Sequence, residues 1–204
     1  MSSNSNEILK YILSNNSRKL TITDIAKGLN KDYKNIYTLI KKMSEENILQ
    51  IEKIGNSNIV TPIKKANPQF FSAEYSRRED ILKNRNIKNI FNILKRVYYP
   101  RIILLFGSYV KNNYTKHSDI DLMVICDEKY HAKIERKLNL LPIDIHSVFL
   151  NFEEFKKSAL SKEFTVVSET LKQNIILNGI ENYYLCLEEL KNNSLMHRNI
   201  RIIT

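Results

Sequence analysis

The chain has 204 residues, with 32 Lys and Arg against 22 Asp and Glu, a formal net charge of +10. That length builds one large domain or two small ones with real cores, and no stretch approaches the roughly 18 apolar residues of a membrane span, which excludes a membrane-embedded class. The two cysteines, Cys126 and Cys186, lie in apolar surroundings without metal-ligand spacing, so they read as core residues of a reducing, cytoplasmic compartment, and the Ser/Asn-rich start is not ordered like a secretory leader.

Charge is unevenly spread. Residues 1–100 carry 18 Lys and Arg against 9 Asp and Glu, whereas residues 101–204 carry 14 against 13. A basic excess confined to the first half points to a polyanion-binding unit there. In chain order, residues 6–13 form a short helix with Ile8, Leu9, Ile12 and Leu13 on one face. Residues 22–29 form a second, with Thr23 as its N-cap. After Asn30-Lys31, residues 32–47 give a third, with Ile36, Leu39, Ile40 and Met43 at helical spacing. Residues 48–54 and 59–61 pair as a hairpin around a turn at 55–58. Three helices and a hairpin over about residues 5–62 resemble a winged helix-turn-helix. The resemblance implies a third helix lying in the major groove of double-stranded operator DNA. Its outward face offers Lys34, Asn35, Tyr37, Thr38, Lys41 and Lys42, a mixture of phosphate and base-edge donors, with Lys53 and the hairpin turn against the backbone or minor groove. The same fold serves dimerisation, so a homodimer stays open.

Residues 61–68 hold two prolines and two lysines and read as a linker. The expected organisation is a DNA-binding domain over 1–65, a linker and the start of a connecting helix over 66–84, and a catalytic domain over 85–204. Residues 71–97 read as helical up to the Tyr98-Tyr99-Pro100 break, with Ile81, Ile87, Ile90, Phe91 and Leu94 toward a core and Arg77, Arg78, Lys83 and Arg85 in solvent. Residues 101–106 form a buried strand, being short, continuous and rich in branched side chains. Further strands follow at 119–122 and 142–149, helices at 152–160 and 164–173, a short apolar run at 175–177 and a closing helix over 181–191.

The informative pattern sits on these strands: Gly107-Ser108, ten residues, then Asp119-Ile120-Asp121. Gly-Ser breaks the first strand, and Tyr109 to Asn112 can begin a helix, whose free N–H groups with the Ser108 hydroxyl would seat a phosphate. Side chains at i and i+2 leave a strand on one face, so Asp119 and Asp121 point the same way. Asp144, with Ile143 and Ile145 on the opposite face, supplies a third acid fit to take a proton from an attacking hydroxyl. His146 shares that polar face. A lone histidine on such a face is more often a surface residue than a catalyst, and the expected site leaves it out.

This arrangement resembles the DNA polymerase beta-like nucleotidyltransferase superfamily, closest to its minimal nucleotidyltransferases, over about residues 85–190. Ile176 to Gly179 with Tyr183-Tyr184 resembles their C-terminal end. The expected fold class is therefore α/β (α+β): an N-terminal winged helix-turn-helix followed by a mixed sheet flanked by helices. The resemblance implies that Asp119, Asp121 and Asp144 bind two Mg²⁺ ions, that Gly107 and Ser108 hold the phosphates of ATP or another nucleoside triphosphate, and that a nucleoside monophosphate passes to a hydroxyl. Minimal nucleotidyltransferases often act as antitoxins that attach AMP to a tyrosine of a HEPN-type RNase toxin, and a DNA-binding domain suits autoregulation of such an operon. Two other readings stay open: a nucleotide-responsive transcription regulator with little turnover, and a small-molecule nucleotidyltransferase.

Overall fold

The computed structural model describes residues 3–16, 18–96, 102–111, 114–115, 118–161 and 163–198. Two compact units emerge, Met1–Arg77 and Arg78–Thr204, with the division inside a helix.

In the first unit, α1 (Ser3–Ser14), β1 (Leu20–Thr21), α2 (Ile22–Gly28) and α3 (Tyr33–Glu45) lead into β2 (Leu49–Ile54) and β3 (Ser57–Pro62), and α4 (Pro68–Ile81) begins. The strands form an antiparallel sheet in the order β1-β3-β2. Ile8, Leu9, Ile12 and Leu13 of α1 are buried with Ile25 of α2 and Ile36, Ile40 and Met43 of α3, so each helix commits one apolar stripe to the core. The cap of α2 is Thr21, two residues before the expected Thr23. Its Oγ accepts from the Asp24 N–H at 3.1 Å, while the Asp24 carboxylate accepts from the Thr21 N–H and hydroxyl at 2.9 and 2.7 Å. The hairpin turn is tighter than expected. Ile54 pairs with Ser57, leaving only Gly55-Asn56 to turn, and Gly55 takes the φ of +59° that this turn demands.

The single helix expected over 71–97 is two helices, α4 and α5 (Arg85–Lys95), separated at Leu82-Lys83-Asn84. Asn84 ends the run because its side-chain oxygen accepts from the N–H groups of Asn86 and Ile87 at 3.0 and 3.3 Å, capping a new helix. The expected break at residues 98–100 and the strand start at 101 lie outside the described residues. Arg77, expected in solvent, is 4% exposed, ion-paired with Glu74 at 2.7 Å and donating from Nε to Ser14 Oγ at 3.2 Å. A buried charge is tolerated only when paired in this way.

The second unit is built on β4 (Ile102–Phe106), β5 (Ile120–Ile125), β6 (Ile145–Leu150) and β7 (Ile175–Asn178), in the order β6-β5-β4-β7. The sheet is mixed. β4 pairs antiparallel with β5 and β7, whereas β5 and β6 run parallel. A parallel pair needs a crossover, and α6 (His131–Leu138) supplies it. This helix is absent from the expected elements, although Ile134 and Leu138 sit four residues apart on its buried face. Ile87, Ile90 and Leu94 of α5 pack with Ile134 and Leu138 against Ile103, Leu105, Leu122 and Val124, covering one face of the sheet. After β6 come α7 (Phe152–Leu160) and α8 (Val166–Lys172), and α9 (Ile180–Arg198) follows β7 and packs on β4 and β7. Cys126 and Cys186 are free and buried, and burial pushes both thiols up to about 11. Among the described residues, no helix is long and apolar enough to cross a membrane.

The Thr21–Asp24 box gives a stability prediction. Thr21→Ala should lower stability by about 1 kcal/mol at neutral pH. The Thr21 hydrogen bonds hold the Asp24 carboxyl below its usual range, so their contribution is present above that range and is lost as pH falls through the lowered value. Urea unfolding of the full chain should therefore show the gap between wild type and variant narrowing in acid. A gap that does not change with pH would remove Asp24 from the account.

Candidate active site

The site begins where β4 stops. Phe106 is the last strand residue and pairs with Asp121 of β5. Gly107 then turns the chain with φ +68°, a left-handed value that glycine adopts without strain. An ideal Cβ at Gly107 would stand 1.9 Å from Asp121 Oδ2. The Gly-Ser turn and the Asp-x-Asp strand, ten residues apart in sequence, are thus in direct van der Waals contact, and only a residue without a side chain fits between them.

Where a helix is expected to begin at Tyr109, the chain makes a 3₁₀ turn over Gly107–Tyr109, two residues earlier, and the Lys111 N–H donates to Gly107 O at 3.3 Å. Asn112 lies outside the described residues. Ser108 is half-buried in this turn, and Tyr109 is buried with its ring stacked on Tyr114 at 4.3 Å. Burial pushes the Tyr109 hydroxyl up. From across the turn, Lys111 Nζ meets Glu169 of α8 at 2.8 Å, and Gln173 Nε2 donates to Val110 O at 3.2 Å. These two contacts brace the turn against α8.

Asp119 stands one residue before β5 and Asp121 is its second residue, with side chains 45% and 26% exposed. Asp144 lies one residue before β6, exposed, and its carbonyl accepts from the Ile120 N–H at 2.9 Å. All three acids therefore occupy the same end of the sheet. His146, which lies outside the expected site, also stands against the pair. It is in register with Asp121, and its Nδ1 stands 3.8 Å from Asp119 Oδ2 and 3.8 Å from Asp121 Oδ1. The signal that would have found it is the pairing of β5 with β6, which no local pattern encodes.

Burial is the main cause that raises the Asp121 carboxyl above its ordinary value. Asp119 and Glu169 push the same way, while His146 and Lys111 oppose them. Among the described residues no three His, Cys, Asp or Glu side chains are grouped to hold a metal ion by themselves. The donor set still suits magnesium, which is commonly held by one or two carboxylates plus substrate phosphates rather than by an all-protein cage.

In the first unit, the six candidate DNA-contacting residues Lys34, Asn35, Tyr37, Thr38, Lys41 and Lys42 are all exposed on α3, opposite buried Ile36, Ile40 and Met43. Tyr33, not among them, stacks on Tyr37 at 6.1 Å.

Comparison with known proteins bears on the second unit. The family model described as "Polymerase beta, Nucleotidyltransferase" matches residues 88–183. Two proteins of Methanocaldococcus jannaschii are similar to the chain. "Putative protein adenylyltransferase MJ0604" is 39% identical over 61 residues, which are 29% of this chain and 61% of the relative. "Putative protein adenylyltransferase MJ1379" is 30% identical over 84 residues, 41% of this chain and 82% of the relative. The chain thus spans less than two thirds of the first relative's length. No solved structure matches it significantly. The family model spans both the left-handed turn at Gly107 and the Asp-x-Asp strand packed on it, and with the second relative, 30% identical and covered over 82% of its length, it places the chain in the polymerase beta nucleotidyltransferase family.

Proposed function

We propose that the chain transfers AMP from ATP to a hydroxyl of a protein acceptor, a tyrosine of a HEPN-type toxin, and that its N-terminal unit is a winged helix-turn-helix that binds operator DNA for autoregulation. The observation that carries the catalytic part is the close packing of Gly107 against the Asp121 carboxylate. It puts the Gly-Ser turn and an acid pair at one place, which supports reading that turn as the phosphate seat. The names of the two archaeal relatives support protein adenylylation.

Each residue has a part in this reading. The Gly107 backbone and Ser108 hold the β and γ phosphates, so pyrophosphate is positioned to leave. Asp119, Asp121 and Asp144 hold two Mg²⁺ ions together with the triphosphate. When bound, Mg²⁺ neutralises the phosphates and lowers the pKa of the acceptor hydroxyl. Asp144 takes the proton of that hydroxyl as its oxygen bonds to the α-phosphorus, and the bond from α-phosphorus to the bridging oxygen breaks to release pyrophosphate. The raised Asp121 carboxyl fits this role, because a carboxylate crowded by burial and by two other acids is short of positive charge.

For the N-terminal unit, the element order α1-β1-α2-α3-β2-β3, the exposed polar face of α3 and the basic excess of residues 1–100 support DNA binding. Lys41 and Lys42 would contact phosphate, and Asn35 and Thr38 the base edges.

Three outcomes test these readings. With α-labelled nucleoside triphosphates, Mg²⁺ and the product of the neighbouring gene, label should move to protein from ATP, and Asp121→Asn should lower transfer by about 10²-fold or more, the scale of losing one charge-stabilising group. Binding of nucleotide without transfer would turn the reading to a nucleotide sensor. Gly107→Ala should cost about 1–2 kcal/mol of backbone strain and displace Asp121, so transfer should fall far more than thermal stability; unchanged transfer would separate the turn from the site. In DNA binding to the sequence upstream of its own gene, Lys41→Ala with Lys42→Ala should reduce the salt slope by about 2. An unaltered slope would remove α3 from the interface.

A further inference from the structure

His146 is the side chain that the expected catalytic set leaves without a task. Parallel pairing fixes its place. Because it stands opposite Asp121 in the β5–β6 ladder, backbone register rather than a loop brings it to the acid pair. It is 74% exposed, so core packing does not account for its position. At 3.8 Å from both Asp119 and Asp121 it is too far to hydrogen-bond either carboxylate. It stands a little wider than the separation of neighbouring donors on one ion, about 3 Å for metal–oxygen bonds near 2.1 Å.

We propose that His146 gives a nitrogen ligand to the divalent cation held at Asp119 and Asp121, so that this site favours Mn²⁺ over Mg²⁺ more strongly than carboxylates alone would. The inference rests on the metal–nucleotide reading of the site. Two aspartates offer only hard oxygen donors, which suit Mg²⁺ and Mn²⁺ alike. Imidazole is a borderline donor that suits the first-row transition ions and adds little for Mg²⁺. Asp119, Asp121 and His146 would hold the cation with the substrate phosphates, the side chains closing on it from their present 3.8 Å separations. His146 is thus separate in role from Asp144, which keeps the proton.

The test uses the full chain, Mn²⁺ and a non-hydrolysable ATP analogue. Electron paramagnetic resonance counts free Mn²⁺, pulsed measurement reads nitrogen coupling to the bound ion, and Mg²⁺ affinity is taken by competition. In the wild type, nitrogen coupling should be present. His146→Ala should abolish it and weaken Mn²⁺ binding about tenfold, while Mg²⁺ affinity changes less than about twofold. His146→Asn, of similar size and without the imidazole, should behave the same way. Mn²⁺ bound without nitrogen coupling, and with equal affinity in both variants, would overturn the role of His146 while leaving the carboxylate site standing. No Mn²⁺ bound by the wild type, with the analogue present, would overturn the metal reading of the site as well.

Discussion

The contact between Gly107 and Asp121 is the constraint on which the rest of the site depends. β4 and β5 are adjacent antiparallel strands, and Phe106 pairs with Asp121, so the residue after the strand must pass directly over that carboxylate. A side chain there would meet Oδ2 at 1.9 Å, and the left-handed φ would strain any other residue. Glycine therefore satisfies two demands at once, one steric and one conformational. With it in place, the chain turns sharply over Asp121, and Ser108 follows half-buried in the same turn. α8 then secures the turn from outside, through Lys111–Glu169 and Gln173–Val110.

The sheet order explains why the acids come from two strands. β5 lies between β4 and β6, so its first residues are flanked by the Gly-Ser turn on one side and by the start of β6 on the other. The parallel sense of β5 and β6 puts Asp119, Asp121, Asp144 and His146 at one end of the sheet; an antiparallel partner would send the start of β6 to the opposite end. That sense depends on α6, whose Ile134 and Leu138 are buried beside α5. A helix that contributes none of these four side chains is in this way responsible for bringing them together.

What was legible in the sequence was what local pattern encodes. The Gly-Ser turn, the alternation around Asp119 and Asp121, and the apolar stripes of α1 and α3 each depend on neighbours a few residues away, and the structure has all of them. Readings failed where a distant or side-chain-specific partner decides. Arg77 looks like a solvated helix residue, yet Ser14 and Glu74 together satisfy it inside the first unit. Asn84 sits within an apparently continuous helical pattern, and its oxygen caps α5 rather than continuing α4. Thr23 and Thr21 are equivalent as residue types; only Thr21 has an acid three residues on to complete the box. His146 is left out of the expected site because register between strands, which brings it opposite Asp121, is a tertiary fact.

The energetics of the acid pair suggest how substrate and site are matched. Asp121 is partly desolvated and stands near Asp119 and Glu169, with His146 and Lys111 opposing them, so its carboxyl lies above its ordinary value. Hydrogen bonds and apolar packing elsewhere must offset that cost, as is usual where a site is arranged for function rather than stability. On the function proposed above, a cation bound with a triphosphate would relieve the crowding at the acids, and the acids would in turn hold the cation against the phosphates. In the proposed reading neither half of the site is complete without the substrate: the protein offers two or three donors at one sheet end, and the nucleotide brings the rest. Binding of ion and nucleotide should therefore be strongly coupled, each raising the affinity of the other by the same factor.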